Sequence, residues 1–271
     1  MNIQGVDIRI EGKGSETLLM LHGWPDTSAL WNDTVQALCE THQCVRFTLP
    51  AFDAQAPMPP KSMAQMVSFI DELVTAVSPQ KPVTLVLHDW GCVFGYEYAA
   101  LYPERVKRMV AVDVGDHNSH ALLSSWSAKA KWGVFSYQIW LAMAWQIARW
   151  FALPGRALAN RMTRSMAKAL RCPSPLADMH SGMNSPYAMK WMGSLGGFDK
   201  AANVLKLLPM ARPMLYVYGR RKPFMFHSPE WLAKIAAHPG SRVEEFDTGH
   251  WVMSAKPELF TALLKEWLLT S

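Results

Sequence analysis

Cysteine is scarce in this chain and is not arranged as a metal site or a disulfide framework. The four cysteines of the 271 residues form no Cys-x-x-Cys pair. Zinc ligands usually come from such pairs, and disulfide-rich scaffolds need many cysteines in a short chain. We therefore expect four ordinary reduced thiols: Cys39, Cys44, Cys92 and Cys172.

A long unbroken apolar run is also missing. The most apolar stretch, residues 134–153, is interrupted by Ser136, Gln138, Gln146 and Arg149. These polar side chains argue against a membrane span and for a buried or lid helix. The opening MNIQGVDIRIEGKG has no positive segment followed by an apolar one, so we expect a cytoplasmic protein.

Charge is modest and does not indicate a nucleic-acid partner. The formal net charge is +5, with 18% charged and 50% hydrophobic residues, which is a globular composition. One segment gathers basic residues that could face an anion or a membrane. No aromatic residue interleaves with them, so a solvated helix face is the favoured interpretation. These residues are Arg156, Arg161, Arg164, Lys168 and Arg171.

Short apolar runs alternate with helical patterns along much of the chain. Each run has four or five residues bounded by turn residues, as expected for strands buried on both faces of a parallel sheet. Met63–Val77 and residues 93–101 show helical character between the runs. The alternation predicts a doubly wound, mostly parallel α/β sheet. The runs are Thr17–Leu21, 83–87, 109–112 and 214–218.

The alternation stops in the middle of the chain. Between about residues 117 and 208 the sequence is rich in Trp, Met and Ala, and it predicts several helices without a strand. We interpret residues 117–208 as a helical lid inserted into an α/β core. The core would be formed by residues 1–116 and 209–271, with a closing helix at 257–269.

The segment LVLHDWGCVFG (residues 85–95) predicts a nucleophile elbow, a tight turn between strand and helix. Asp89 occupies the turn, Gly91 leaves room for close packing, and the N–H of Trp90 can stabilise an oxyanion. The usual pattern is Gly-x-Ser-x-Gly. Here Asp89 replaces the serine and Leu87 replaces the first glycine. The alternative is that Asp89 only caps the following helix.

Two further motifs favour the catalytic interpretation of Asp89. LHGWP (residues 21–25) would supply a second oxyanion donor, the N–H of Trp24, with His22 as a structural hydrogen-bonding residue. A catalytic triad that starts from such an elbow ends in a histidine near the C-terminus, and TGHW (residues 248–251) places His250 there. The histidines outside the motifs are expected to be surface or loop residues: His42, His117, His120, His180, His227 and His238.

In this order and spacing, HGWPD, HDWG and GHW resemble the epoxide hydrolase and haloalkane dehalogenase branch of the α/β-hydrolases. The resemblance covers nearly the whole chain. It implies an α/β-hydrolase fold in which Asp89 attacks carbon and forms an alkyl-enzyme ester. His250 would then activate water to hydrolyse this ester. No metal or organic cofactor is implied.

The acid that orients the histidine is missing from its usual place. Most epoxide hydrolases carry it after the strand equivalent to 214–218, but residues 219–226 contain no Asp or Glu, and Lys222 stands there. Some haloalkane dehalogenases carry the acid after the preceding strand, which here ends at Asp113. We expect Asp113, rather than Asp116, to orient the histidine. Lost activity is the alternative explanation.

The leaving group distinguishes epoxide hydrolases from haloalkane dehalogenases. An epoxide oxygen needs an acidic O–H donor, and Tyr137 and Tyr187 lie in sequence contexts that resemble the lid tyrosines of epoxide hydrolases. Ordinary packing of these tyrosines is the alternative. A dehalogenase using the Trp90 indole N–H, and a non-catalytic binding protein, are the rival functions. We expect a small apolar or aromatic substrate, no membrane span, and allow for a homodimer.

Overall fold

The computed structural model describes residues 1–55, 58–198 and 212–270. The predicted boundary between residues 208 and 209 lies outside these ranges. The strands of the described residues are β1 (Asn2–Ile3), β2 (Val6–Glu11), β3 (Thr17–Leu21), β4 (Gln43–Phe47), β5 (Val83–His88), β6 (Val106–Val112), β7 (Met214–Gly219) and β8 (Arg242–Phe246).

The strands form one sheet in the order β1-β2-β4-β3-β5-β6-β7-β8. The β1–β2 and β2–β4 pairs are antiparallel, and every later pair, from β4–β3 to β7–β8, is parallel. The predicted fold class, a mostly parallel doubly wound α/β sheet, is therefore confirmed. All four predicted strands are present.

Helices cover both faces of this sheet. They are α1 (Asn32–Leu38), α2 (Met63–Val77), α3 (Trp90–Leu101), α4 (His120–Ser125), α5 (Ala128–Trp150), α6 (Ala152–Ala169), α7 (Ser185–Met192), α8 (Pro229–Ala237), α9 (Val252–Ala255) and α10 (Pro257–Thr270). Short 3₁₀ helices lie at Ser28–Trp31, Pro103–Arg105, Leu176–Asp178, Ser181–Asn184 and Gly193–Gly196.

The unbroken apolar runs are explained by burial on both sides. Leu19 of β3 joins the core that includes α2 and α3, while its neighbour Leu18 joins the core that includes α1 and α10. Successive side chains of a strand point to opposite faces, so a strand covered on both faces must be apolar at every position. All five residues of β3 are accordingly buried.

Between β6 and β7 the described residues 117–198 form helices and no strand. Helices α5 and α6 fold back on each other as a hairpin, with Trp140 Nε1 donating to the carbonyl of Met162 at 3.2 Å and Ala144 packed near Ala159. We call α4 to α7 the helical insertion. Among the described residues, no helix is both long enough and apolar enough to cross a membrane.

Candidate active site

Asp89 lies in a sharp turn between β5 and α3. Its backbone has φ 52° and ψ −119°, a conformation that costs energy for a residue with a side chain. The turn brings the backbone of residue 91 close to the end of β3. Only glycine fits there, because a Cβ at position 91 would lie 2.2 Å from the carbonyl oxygen of Leu21. The Asp89 side chain makes no capping hydrogen bond to α3. Helix capping therefore does not account for this aspartate.

The loop after β3 brings one predicted oxyanion donor, the Trp24 N–H, into contact with Asp89. The N–H of Trp24 donates to Asp89 Oδ1 at 2.7 Å, and Trp90 is the first residue of α3. A Cβ on Gly23 would lie 2.4 Å from Asp89 Oδ1 and 2.5 Å from the Trp90 nitrogen. Only glycine at position 23 lets the loop after β3 approach the elbow this closely.

His250 lies between two carboxylates. Its Nε2 is 3.4 Å from Asp89 Oδ2, and its Nδ1 hydrogen-bonds to Asp113 Oδ2. Burial lowers the pKa of His250, but Asp113 and Asp89 outweigh that effect and raise the pKa to about 9. The side chains of His250 and Asp89 keep 14% and 16% of their surface exposed, so both are partly accessible to solvent.

Asp113 follows β6 directly and is fully buried in a positive-φ conformation, φ 71°. Its Oδ1 accepts hydrogen bonds from Lys222 Nζ and from the Gly219 N–H at 3.1 Å. Burial raises the pKa of Asp113, but the positive charges of Lys222 and His250 outweigh burial and lower the pKa below its ordinary value. The carboxylate is therefore held ionised. Lys222, which stands where the usual acid would be, thus contacts the acid after the neighbouring strand.

Asp116, the alternative acid, is committed elsewhere. Its carboxylate accepts hydrogen bonds from the hydroxyl of Ser119 at 2.6 Å and from the N–H and hydroxyl of Ser228 at 2.8 and 2.7 Å. These bonds join the loop after β6 to the start of α8. They correspond to a turn-stabilising role away from His250.

Both predicted tyrosines lie near the elbow. The Tyr187 ring is 5.3 Å from Trp90, 5.9 Å from Trp24 and 6.1 Å from Tyr137, measured between ring centroids. Gln138 donates to the Tyr137 hydroxyl at 3.2 Å. Burial and the negative charge of Asp89 raise the pKa of both phenols, so both keep their protons at neutral pH.

Sequence reasoning missed a buried cluster behind His250. Asp26 accepts hydrogen bonds from Ser174 at 2.6 Å and from Trp251 Nε1 at 2.8 Å, and burial raises its pKa to about 6. His88 Nε2 is 3.3 Å from the carbonyl oxygen of His250. Asp26 and His88 belong to the motifs HGWPD and HDWG, so the motifs themselves could have indicated that these two residues lie near the site.

Two other histidines, His22 and His227, can be compared with the positions expected from the sequence. His22 matches its expected structural role, since its Nδ1 lies 2.9 Å from the Gly23 carbonyl and its Nε2 accepts from the Leu49 N–H. His227 lies in a loop, as expected, but it is buried and hydrogen-bonded to the Tyr216 hydroxyl at 2.8 Å. This contact joins the loop after β7 to that strand.

The chain matches a protein-family model described as the alpha/beta hydrolase fold over residues 16–257. It therefore belongs to the α/β-hydrolase fold family and is an enzyme of that superfamily. Among solved structures, a mutant epoxide hydrolase from Bacillus megaterium bound to its diol product superposes with a TM-score of 0.72. That match has 20% identity and covers 99% of each chain, so it shows a shared fold.

The curated relatives include decarboxylases and epoxide hydrolases. A cis-3-alkyl-4-alkyloxetan-2-one decarboxylase from Xanthomonas campestris is 25% identical over 93% of this chain and 88% of that protein. Its namesake from Shewanella oneidensis is 35% identical over 39% of this chain and 34% of that protein. An epoxide hydrolase from Neurospora crassa is 33% identical over 35% of this chain and 29% of that protein.

Proposed function

We propose that this enzyme opens epoxides to diols through an ester on Asp89. The observation that supports this proposal is that the three candidate triad residues and the two lid tyrosines lie around the same turn between β5 and α3. Asp89, His250 and Asp113 form a continuous chain of contacts, and the rings of Tyr137 and Tyr187 lie beside the same elbow. In this proposal the helical insertion forms part of the predicted lid, residues 117–208.

In the first step a carboxylate oxygen of Asp89 attacks an epoxide carbon, and the bond from that carbon to the ring oxygen breaks. The developing alkoxide takes a proton from Tyr137 or Tyr187. Asp89 suits this attack because its pKa is lowered: burial raises it, but His250 and the Trp24 N–H outweigh burial.

In the second step His250 removes a proton from water, and the hydroxide attacks the Asp89 ester carbonyl. The N–H groups of Trp24 and Trp90 stabilise the oxyanion, and the leaving diol oxygen takes the proton from His250. Before this step, ester formation has removed the Asp89 charge, so the pKa of His250 falls and its proton restores the tyrosine that gave one to the alkoxide. Asp89 is released as a carboxylic acid, and its proton returns to His250, which restores the starting state.

Trapping the ester tests this proposal. A His250→Gln variant should open the epoxide but hydrolyse the ester slowly, leaving an adduct of substrate mass on the peptide that contains Asp89. The matched control is His227→Gln, another buried histidine, which should accumulate no adduct. The Asp89→Asn/His250→Gln double variant should also stay unmodified. Absence of any adduct in His250→Gln across a panel of epoxides and haloalkanes would favour the non-catalytic alternative.

A second candidate is supported by the Xanthomonas relative, which matches 93% of this chain. An oxetan-2-one is, like an epoxide, a strained ring whose C–O bond at a saturated carbon can break under carboxylate attack. Its decarboxylation gives an alkene and carbon dioxide instead of a diol. Product analysis separates three outcomes: diol for the proposed function, alkene for this candidate, and halide ion for a dehalogenase.

A further inference from the structure

The outer face of α5 is unusually aromatic. Trp132 and Trp150 keep 69% and 66% of their surface exposed, and Trp140 and Met143 are also exposed. At 100° per residue these four positions lie within one sector of the helix, so they form a stripe along one face. Large apolar side chains usually bury most of their surface, and a contiguous exposed group marks an interaction site.

The stripe extends into the next helix of the hairpin. Phe151, Leu153 and Leu158 are exposed at the turn and the start of α6. Trp140 is hydrogen-bonded to the backbone of α6 at Met162, so the stripe borders that helix directly. We call the seven exposed residues the apolar stripe: Trp132, Trp140, Met143, Trp150, Phe151, Leu153 and Leu158.

The same region carries charge of one sign. Residues 117–177 contain eight Lys and Arg and no Asp or Glu, while the whole chain has a net charge of +5. The rest of the chain is therefore net negative. Exposed basic side chains lie beside the stripe on α5, at Lys129, Lys131 and Arg149, and along α6. Trp140 of α5 meets the backbone of α6 at Met162, which lies next to Arg161 in sequence.

We propose that the α5–α6 hairpin docks on a membrane surface that carries anionic phospholipids. Exposed Trp and Leu side chains enter the headgroup region, and Lys and Arg beside them contact the lipid phosphates. Tryptophan suits this interface because its ring is apolar and its N–H is polar. A second copy is a poorer partner, since an isologous contact would bring two acid-free basic surfaces together.

Vesicle co-sedimentation tests the proposal without a substrate, so it is independent of the proposed reaction. The full chain should sediment with vesicles of phosphatidylcholine and phosphatidylglycerol in equal parts, and not with phosphatidylcholine alone. High salt should weaken the binding. Trp132→Gln/Trp150→Gln and Arg156→Gln/Arg161→Gln/Lys168→Gln should each bind at least about tenfold more weakly.

Matched controls come from α10 and from Lys256 directly before it, where apolar and basic residues are also exposed. Leu259→Gln/Leu269→Gln and Lys256→Gln/Lys265→Gln should bind these vesicles like the parent chain. Circular dichroism should show the same helical content in every variant. Three results would overturn the proposal: equal binding to neutral vesicles, hairpin variants that bind as well as the α10 controls, or a dimer that forms without lipid and dissociates when the tryptophans are replaced.

Discussion

At the scale of single residues, Lys222 changes the charge balance of the site. In the free enzyme Asp89 and Asp113 are negative, while His250 and Lys222 are positive, so the charges cancel. In the proposed reaction Asp89 becomes an ester without charge. Asp113 and Lys222 then cancel each other, and His250 can be neutral, which is the form that accepts a proton from water. Without Lys222, the buried Asp113 would favour the protonated histidine.

We therefore expect Lys222→Met to raise the pKa of His250 by about one unit when position 89 carries no charge. The measurement is an NMR titration of histidine in an Asp89→Asn background, where the amide imitates the ester. The signal is assigned by its loss in His250→Gln. His88, Asp26 and Asp113 also face His250, and they are identical in both samples.

The control is Lys222→Arg, which keeps the positive charge and should titrate within a few tenths of a unit of the lysine form. In kinetics, the ester-hydrolysis rate of Lys222→Met should reach its plateau at higher pH, because the histidine must lose its proton first. An unchanged or lower midpoint in Lys222→Met would show that Asp113 does not need this lysine.

The two tyrosines should be partly redundant donors. Tyr137→Phe or Tyr187→Phe alone should leave partial epoxide opening, while the double variant should lose at least about a hundredfold, because no O–H then reaches the alkoxide. Phenylalanine keeps the ring contacts with Trp24 and Trp90. Rapid-quench measurement of ester formation checks this, with Tyr218→Phe as the control. Ester formation at the parental rate in the double variant would contradict the donor role.

At the scale of elements, Asn184 connects the core to the helical insertion. Its Oδ1 accepts from Trp24 Nε1 at 2.9 Å, and its Nδ2 donates to the Thr163 hydroxyl at 2.8 Å. The amide thus joins the loop after β3, which also holds the Trp24 N–H against Asp89, to α6. Asn184 is fully buried, so neither bond can be replaced by water at the surface.

Replacing Asn184 with alanine should destabilise the protein by about 2–3 kcal/mol. The buried Trp24 indole N–H loses its partner, and the Thr163 hydroxyl keeps only its bond to the Ala159 carbonyl. Urea unfolding at neutral pH measures this. Asn2→Ala, at an exposed asparagine, should cost less than about 1 kcal/mol. Equal midpoints for the two variants would mean that water enters and satisfies Trp24 and Thr163.

Elements were predictable from the sequence where their pattern is local. The unbroken apolar runs identified β3 and β5, and the strand-to-helix turn located Asp89. Interactions between distant segments were not predictable in this way. The Lys222 to Asp113 contact joins residues 109 positions apart, and the burial of His227 depends on Tyr216 and the loop after β7. Such contacts depend on strand order, which a single run does not encode.

At the scale of the whole molecule, the two ends of the parallel strands have different tasks. The charged residues Asp89, Asp113, Lys222 and His250 follow the carboxyl ends of β5, β6, β7 and β8, in that order. Near the opposite ends, Glu16 contacts the buried Arg108, with both carboxylate oxygens bonded to Nη2 at 2.7 and 2.9 Å. Thr84 and Lys107 donate to the same carboxylate at 2.6 and 2.7 Å. This cluster is far along the strands from Asp89, so it can stabilise the fold without entering the chemistry.

Glu16→Gln should therefore lower the free energy of unfolding at pH 7 by about 3 kcal/mol, because Arg108 stays buried without its carboxylate. Burial raises the pKa of Glu16, but Lys107, Thr84 and Arg108 outweigh it and lower the pKa from 4.5 to about 2. Its contribution is thus complete above about pH 4.5 and is lost as pH falls toward about 2. Urea unfolding across this range should show a smaller loss of stability with falling pH in Glu16→Gln than in the parent.

The control is Glu230→Gln, which removes an exposed pair with Lys234 and should change stability by less than about 0.5 kcal/mol. If Glu16→Gln also moved the NMR titration of His250, the two ends of the sheet would be coupled, contrary to this division.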